Sequence, residues 1–227
     1  MDLCLHYAPD NASLCVRLAL EELGLPYRTA LVDRRGQGQK TPAYLALNPN
    51  GLIPVLETPA GPIFETAAIL LWLAEAQGRL IAPVGSDRRG HDLQWLFWLS
   101  NTLHAGLRQL FYPGQYIATD SHAALLLQTR RRLHAHLSIL DGARFAPWLD
   151  DDAPSVHGCY LGPMLRWAQL YGGPRDWLRL ADWPRLHSFA QGAEARPAAL
   201  RLAAAEGLGP RPFTAPQPCT PPEGAAL

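Results

Sequence analysis

The chain has 227 residues, 48% of them hydrophobic, and its 20 basic and 20 acidic side chains give a net charge of zero. This length suits one large domain or two small ones with a substantial core. A balanced charge excludes the strongly basic surface that binds nucleic acid or an anionic membrane. The first residues, MDLCLHYAPD, lack the basic and apolar regions of a signal peptide, so we expect a cytoplasmic protein.

Residues 1–79 alternate between strand-like and helix-like segments. The order is β-α-β-α-β-β-α, and a Pro-Ala-Gly turn joins the third and fourth strands. We therefore expect a compact α/β domain. Its predicted strands are 3–7, 27–32, 52–58 and 61–64, and its predicted helices are 12–23, 41–47 and 65–77.

Beyond a predicted linker at residues 80–86, strand patterns are absent and helical periodicity dominates. Residues 87–207 are therefore predicted to form a separate all-helical domain, and residues 208–227 a proline-rich tail that is extended or disordered. The expected helices are 91–112, 121–141, 163–171, 184–193 and 197–206, with Gly162 as the N-cap of the third.

The four cysteines, Cys4, Cys15, Cys159 and Cys219, show neither CxxC nor zinc-site spacing. We expect free thiols in a reducing compartment and no metal site.

Pro54 lies inside the strand-like segment LIPVLET. Proline has no N–H to donate to a strand ladder and is typical of sheet edges, bulges and turns. The sequence therefore predicts an edge or a turn at this position, where backbone groups remain available to bind a ligand.

Glu65 and Thr66 open the apolar helix that follows. The N-terminus of a helix offers unpaired N–H groups and a partial positive charge, which suit a carboxylate. Glu65 in turn suits an ammonium group. The alternative is that both residues act only as ordinary first-turn residues of the helix.

The segments LNPNGLIPVLET and ETAAILLWLAE, followed by the linker and a pair of long helices, resemble the cytosolic glutathione S-transferases, in particular bacterial beta-like and nu-like members. The resemblance covers about residues 2 to 206. It implies a thioredoxin-like N-terminal domain followed by an all-helical C-terminal bundle. It also implies a homodimer, glutathione as co-substrate, and transfer of glutathione to a small apolar electrophile.

The same resemblance assigns most of the candidate site. It implies a cis bond between Ile53 and Pro54, with the Ile53 backbone pairing with the cysteinyl unit of glutathione. The other implied glutathione-binding residues are Gln39, Glu65, Thr66 and His104, with Arg34, Arg35 and Lys40 as candidates for the glycyl carboxylate. Tyr112 and Tyr116 are expected to line the pocket of the second substrate.

Thiol activation departs from the family pattern. Tyr7 and Ser13 match a tyrosine and a serine of beta-class members and are the predicted catalytic residues. However, Ala12 replaces the beta-class cysteine, and Asp10 replaces the hydroxyl residue of nu-like members. Asp10 either faces the thiol, where its charge opposes activation, or caps the first helix, which we expect.

Weak or specialised conjugating activity is the resulting expectation. Two alternatives stay open: a non-catalytic protein of the same fold that binds glutathione or a partner, and a glutathione-dependent disulfide reductase.

Overall fold

The structure is a computed structural model that describes residues 2–174 and 177–226. Four strands form one sheet in the order β2-β1-β3-β4, in which β1 and β2 are parallel and the other neighbours are antiparallel. The strands are β1 (Cys4–Tyr7), β2 (Arg28–Leu31), β3 (Val55–Thr58) and β4 (Gly61–Phe64).

Three helices cover this sheet: α1 (Ser13–Leu23), α2 (Pro42–Leu47) and α3 (Thr66–Gln77). One face of the sheet, with Leu5 and Leu56, packs on α1 and α3, while Val55 on the other face packs on Tyr44 of α2. This is the thioredoxin-like domain that was expected, and the predicted element order is confirmed.

The remaining regular elements are helical. They are α4 (Arg89–Trp98), α5 (Ala105–Phe111), α6 (His122–Asp141), α7 (Val156–Leu170), α8 (Pro184–Glu194) and α9 (Pro197–Glu206). A π-helical segment at Leu99–His104 joins α4 to α5, so the long helix predicted at 91–112 is continuous but changes its hydrogen-bond pattern in the middle.

The two halves of the molecule share one hydrophobic core. Helix α1 packs against α3 on one side and against α7 and α9 on the other, and its Leu14, Cys15 and Val16 are fully buried. The predicted linker contributes to this contact, because Leu80 is buried and its carbonyl accepts a hydrogen bond of 2.8 Å from the Val156 N–H.

The predicted start of α7 at Gly162 and Pro163 is wrong. The helix begins at Val156, capped by Ser155, whose hydroxyl oxygen accepts a 3.0 Å hydrogen bond from the Gly158 N–H. Pro163 lies inside the helix, where the surrounding core holds the chain in place. The small Gly162 is needed because Phe213 packs directly against it.

Residues 208–226, the described part of the proline-rich tail, contain turns but no helix or strand, and they are packed on the body of the protein. Phe213 is fully buried, and the carbonyl of Gln217 accepts a 2.8 Å hydrogen bond from Arg166. The four cysteines are free thiols, as predicted. None of the helices in the described ranges combines the length and apolar character needed to cross a membrane.

Candidate functional site

The peptide bond between Ile53 and Pro54 is cis, as the family resemblance implied. The predicted edge is wrong, because β3 lies between β1 and β4. Pro54 is accommodated because it precedes Val55, the first paired residue of the strand, and so no ladder donor is missing there. Since Val55 pairs with Phe64, the next residues beyond the pair, Pro54 and Glu65, stand at the same end of the sheet.

The loop before Pro54 is held by hydrogen bonds to its own backbone. The carbonyl of Leu52 accepts from the Asn48 amide at 2.8 Å and from the Tyr44 hydroxyl at 2.9 Å. Gly51 has a φ of 58°, a left-handed conformation that glycine adopts without strain. The backbone N–H and C=O of Ile53, in contrast, have no partner among the described residues. The Asn-Pro-Asn-Gly sequence thus presents Ile53 in a fixed orientation.

A cavity of about 470 Å³ lies beside Ile53, between the thioredoxin-like domain and the helices α5 and α7. One wall is polar and comes mainly from the N-terminal domain, with Asn11, Arg34, Gln39, Lys40 and Ile53. The opposite wall is largely apolar and comes from the helical domain, with Leu110, Phe111, Tyr112, Trp167 and Leu170. The cavity therefore offers polar anchoring on one side and an apolar surface on the other.

Gln39 carries an unused acceptor in this cavity. Its amide oxygen is buried and has no hydrogen-bond partner among the described residues. An unpaired buried acceptor is costly, and a ligand donor is one way to satisfy it. Nearby, the Lys40 ammonium group donates to the Asn50 carbonyl at 3.1 Å, so this loop is positioned against the segment that precedes Ile53.

Asp10 forms a buried ion pair with Arg166 of α7. The guanidinium donates to both carboxylate oxygens, at 2.8 and 2.9 Å, in a bidentate arrangement. Trp167 Nε1 donates to Oδ1 at 2.9 Å and the Tyr171 hydroxyl to Oδ2 at 2.6 Å. The expected N-cap role of Asp10 is wrong, because its carboxylate is saturated by these three residues; α1 begins after Ala12 and has no side-chain cap.

A second buried carboxylate supports the same loop from α9. Glu206 accepts a hydrogen bond of 2.8 Å from the Asp10 N–H and another of 2.8 Å from Arg17 of α1. Two carboxyl groups and two guanidinium groups thus meet at the domain interface, where burial raises the pKa of Glu206 to about 7. Sequence analysis missed all of Arg17, Arg166 and Glu206. The one available signal was an arginine within the apolar segment MLRWAQLY.

His104, the last residue of the π-helical segment, lines the cavity. Its Nδ1 lies 2.8 Å from the Tyr160 hydroxyl. Burial, with a smaller contribution from Arg108, lowers the pKa of His104 to about 4. The imidazole is therefore neutral at pH 7. It provides a hydrogen-bonding group to the cavity and no charge.

The sequence profile of the glutathione S-transferase N-terminal domain matches residues 12–76. Across 209 residues the chain is 28% identical to the glutathione S-transferase GstA of Escherichia coli O157:H7. The alignment covers 90% of this chain and 98% of that protein. Residues 12–76 thus match a glutathione S-transferase N-terminal domain, and the chain is similar to a member of that family over nine tenths of its length.

Two further comparisons give similar likenesses. The chain is 29% identical over 204 residues to the disulfide-bond oxidoreductase YfcG of Escherichia coli K12, and the alignment covers 86% of this chain and 91% of that protein. The solved structure of a sphingomonad glutathione S-transferase complexed with glutathione superposes with a TM-score of 0.71 at 29% identity. That alignment covers 92% of this chain and 100% of the sphingomonad chain.

The two predicted catalytic residues lie outside the lining of the cavity. Ser13 is fully buried, and its hydroxyl donates to the Ala8 carbonyl at 3.1 Å. The Tyr7 hydroxyl donates to Glu223 of the tail. Burial and this carboxylate raise the pKa of Tyr7 to about 12. The catalytic roles of both residues stay predictions that this arrangement does not favour, because their hydroxyl groups are engaged elsewhere.

The other predicted site residues divide between the cavity and its surroundings. Gln39, Ile53, His104 and Tyr112 line the cavity. Pro54, Glu65, Thr66 and Tyr116 lie outside the lining. Glu65, with a φ of 72°, and the buried Thr66 stand at the start of α3, where the helix N-terminus was expected to act.

Two other features of the described residues lie outside this cavity. A smaller cavity of about 290 Å³ is lined by Arg185 and Arg196, which are already paired with Asp150 and Glu22. On the sheet, ligand atoms of Cys4, His6 and Glu57 lie within 4.8 Å of one another. The 2.6 Å hydrogen bond between His6 and Glu57 accounts for their proximity, and the expectation of no metal stays a prediction.

Proposed function

We propose that this protein binds glutathione in the 470 Å³ cavity and transfers it to a small apolar electrophile. The observation that carries the proposal is that the Ile53 backbone and the Gln39 amide oxygen, which have no hydrogen-bond partner among the described residues, meet at the same cavity. An extended ligand backbone can pair with Ile53 in the manner of an added strand. Similarity to the glutathione S-transferases supports this use of the segment.

The polar groups around Ile53 suit the two ends of glutathione. At one end, Glu65 and the N-terminus of α3 at Thr66 suit the ammonium and carboxylate of the γ-glutamyl unit. At the other end, the basic side chains of Arg34 and Lys40 suit the glycyl carboxylate. Both basic residues line the cavity, which favours the extended orientation of the tripeptide along Ile53.

Activation of the thiol is assigned to the N-terminus of α1. A free thiol with a pKa of about 8.5 is only a few per cent ionised at pH 7, so useful catalysis needs a shift of about two units, or ~3 kcal/mol. The backbone N–H groups of Ala12 and Ser13 open α1 and have no partner among the described residues. Asp10 opposes activation less than an unpaired carboxylate would, because Arg166 neutralises it. We therefore expect modest conjugating activity.

The apolar wall supplies the place for the second substrate. Phe111, Tyr112 and Trp167 line it, and their aromatic surfaces favour a flat or hydrophobic electrophile. Tyr116, which was predicted to take part, is half-exposed and stands outside this lining. A substrate large enough to extend beyond Tyr112 is required for Tyr116 to contribute.

Glutathione-dependent disulfide reduction is the second candidate function. The relative YfcG, similar over most of its length, is named a disulfide-bond oxidoreductase. None of the four cysteines lines the cavity, so the attacking sulfur would come from glutathione. One glutathione thiolate would attack the substrate disulfide, release one substrate thiolate and form a mixed disulfide. A second glutathione thiolate would then attack the glutathione sulfur of the mixed disulfide, release the other substrate thiolate and form oxidised glutathione.

We further propose a cytoplasmic homodimer, the assembly typical of the family. Light scattering at micromolar protein concentration tests this directly. A mass of about twice the 24.9 kDa of the chain is the expected result, and the mass of a single chain would contradict it.

The test of glutathione binding uses calorimetry with S-methylglutathione, which has the tripeptide but no reactive thiol. Gln39→Ala should weaken binding about tenfold, since the ligand loses its partner for the amide. Gln94→Ala, an exposed glutamine on α4, is the matched control and should bind like the wild type. Equal affinity in Gln39→Ala and Gln94→Ala would contradict the proposed site.

Assays of glutathione consumption then separate the functions. Consumption with an aryl halide supports conjugation, and formation of oxidised glutathione with a small disulfide supports reduction. Binding without either reaction supports a non-catalytic glutathione-binding protein.

A further inference from the structure

Residues 219–226, named here the C-terminal strap, cross the loop between β1 and α1 and end at the cavity. The strap starts beside α9, where the Thr220 N–H donates to the Gly207 carbonyl at 2.9 Å. It then passes Tyr7, whose hydroxyl donates to Glu223. At its end, the carbonyl of Ala226 lies among the residues that line the polar wall of the cavity.

The strap occupies polar groups that a ligand would use. The Ala226 carbonyl accepts one hydrogen bond of 3.1 Å from the Arg34 guanidinium and one of 3.1 Å from the Asn11 amide. Arg34 also donates to the Asn11 side chain at 2.6 Å. These groups belong to the polar wall, so the strap and an anionic ligand compete for them.

Gly224 of the strap packs closely against Leu31 of β2. Gly224 has a φ of 72°, and a Cβ atom built on it would lie 2.7 Å from Leu31 Cδ1 and 3.3 Å from Pro9 Cδ. Only glycine meets both the conformation and the space without strain. The glycine beside Glu223 therefore indicates a docked segment with a defined path.

We propose that the C-terminal strap is an intramolecular inhibitor of this cavity, which leaves Arg34 and Asn11 when an anionic ligand binds. The inference rests on the proposed function for the identity of the ligand, glutathione. A ligand carboxylate replaces the Ala226 carbonyl because it carries a negative charge and can accept from the guanidinium through two oxygens, whereas the carbonyl is a neutral, single acceptor. Release of the strap also frees the Tyr7 hydroxyl from Glu223.

Only molecules with the strap undocked bind the ligand. The apparent Kd therefore equals the intrinsic Kd divided by the fraction of molecules in that state. Variants that release it should therefore bind more tightly. Glu223→Ala removes the acceptor for Tyr7, and Gly224→Val introduces the clash with Leu31. Glu223→Gln keeps an acceptor and should resemble the wild type. Glu75→Ala, on α3 and paired with Arg89, is the control at a distance from the strap.

The experiment measures S-methylglutathione affinity by calorimetry in the full-length protein and these four variants. We expect affinity to rise about three- to tenfold in Glu223→Ala and Gly224→Val and to stay unchanged in Glu75→Ala. Unchanged affinity in both release variants would overturn the inhibitory role. Weaker binding in both would also overturn it, because the strap would then complete the site.

A second measurement follows the strap without any ligand. Cys219 lies in the strap and is half-buried, whereas Cys4, Cys15 and Cys159 are buried. Iodoacetamide labelling of Cys219, followed by mass spectrometry, should be several times faster in Glu223→Ala and Gly224→Val than in the wild type. Absence of S-methylglutathione binding in every protein overturns the proposed function, and equal labelling rates overturn the docked strap.

Discussion

Two loops meet at the cavity and differ in how their polar groups are used. In the loop between β1 and α1, the Asp10 carboxylate is saturated by α7, and the Ser13 hydroxyl is bonded to the backbone. In the segment around the cis proline, the Ile53 backbone has no partner among the described residues, and the same holds for the amide oxygen of Gln39 in the neighbouring loop before α2. The first loop therefore holds the two domains together, and the second is the part that is open to a ligand.

This difference matters because both loops carry residues of the transferase family pattern. Matching a family position in sequence does not show that the side chain is available. Asp10 illustrates this point, because its position in the family pattern faces the thiol, whereas here its carboxylate joins the loop before α1 to α7. We therefore expect substitutions in the first loop mainly to change stability and substitutions near the second mainly to change binding.

The largest effect is expected from Arg166→Met. It leaves the Asp10 carboxylate buried without its cationic partner, which should lower the free energy of unfolding by about 3–5 kcal/mol. Urea denaturation measures this change. The double variant Asp10→Asn with Arg166→Met should recover part of the loss. Arg179→Met breaks an exposed ion pair with Asp182 and should cost less than ~1 kcal/mol. A loss in Arg166→Met as small as that of the control would refute the structural role.

The next effect concerns pH and His104. Because burial lowers the pKa of His104 to about 4, the unfolded chain binds a proton between roughly pH 6.5 and 4 that the folded chain does not. Stability from this group is therefore complete above pH 6.5 and falls on acidification, by at most ~1.4 kcal/mol per pH unit.

The measurement is urea denaturation between pH 4 and 7 in wild type and His104→Gln. The variant should show a shallower loss of stability over this range. His187→Gln on α8 is the matched control and should follow the wild type. Identical pH dependence in His104→Gln and wild type would be inconsistent with a neutral buried imidazole.

A smaller effect, on ligand binding, is expected at the start of α3. Glu65→Ala and Thr66→Ala should each weaken S-methylglutathione binding by about 1–3 kcal/mol, because each leaves a charged ligand group poorly satisfied. Calorimetry measures affinity, and circular dichroism should show an intact fold. Thr58→Ala, at the far end of β3, is the control for Thr66→Ala. Wild-type affinity in both site variants would remove the start of α3 from the site.

The smallest effect is expected from Ser13→Ala. It removes a buried hydrogen bond to the Ala8 carbonyl and should lower stability by about 1 kcal/mol. Because the hydroxyl does not reach the cavity, the pKa of the bound glutathione thiol should stay the same, as followed by thiolate absorbance against pH. A raised thiol pKa in Ser13→Ala would instead support the catalytic role that the family pattern predicts.

Local sequence patterns determined most of the secondary structure of this protein. Alternating and helical periodicity located the strands and most helices, since these signals depend on which face of each element is buried. The segment around Ile53 and Pro54 could be identified because its Asn, Gly and Pro residues shape the backbone of their own neighbours in sequence. The sequence predicts the start of α7 wrongly, because proline is typical of the first turn of a helix. The N-cap is Ser155, seven residues before the predicted Gly162.

Only the tertiary structure decided which site residues are available. Asp10 and Arg166 are 156 residues apart in sequence, and Tyr7 and Glu223 are 216 apart. No local pattern reports such pairs, because their partners are chosen by the packing of whole domains. The family resemblance of the sequence predicts that a ligand backbone pairs at Ile53, and this stays a prediction. The tertiary fold decided that Asp10 is neutralised and that the tail reaches the cavity, because burial forces polar groups to find partners wherever the chain brings them.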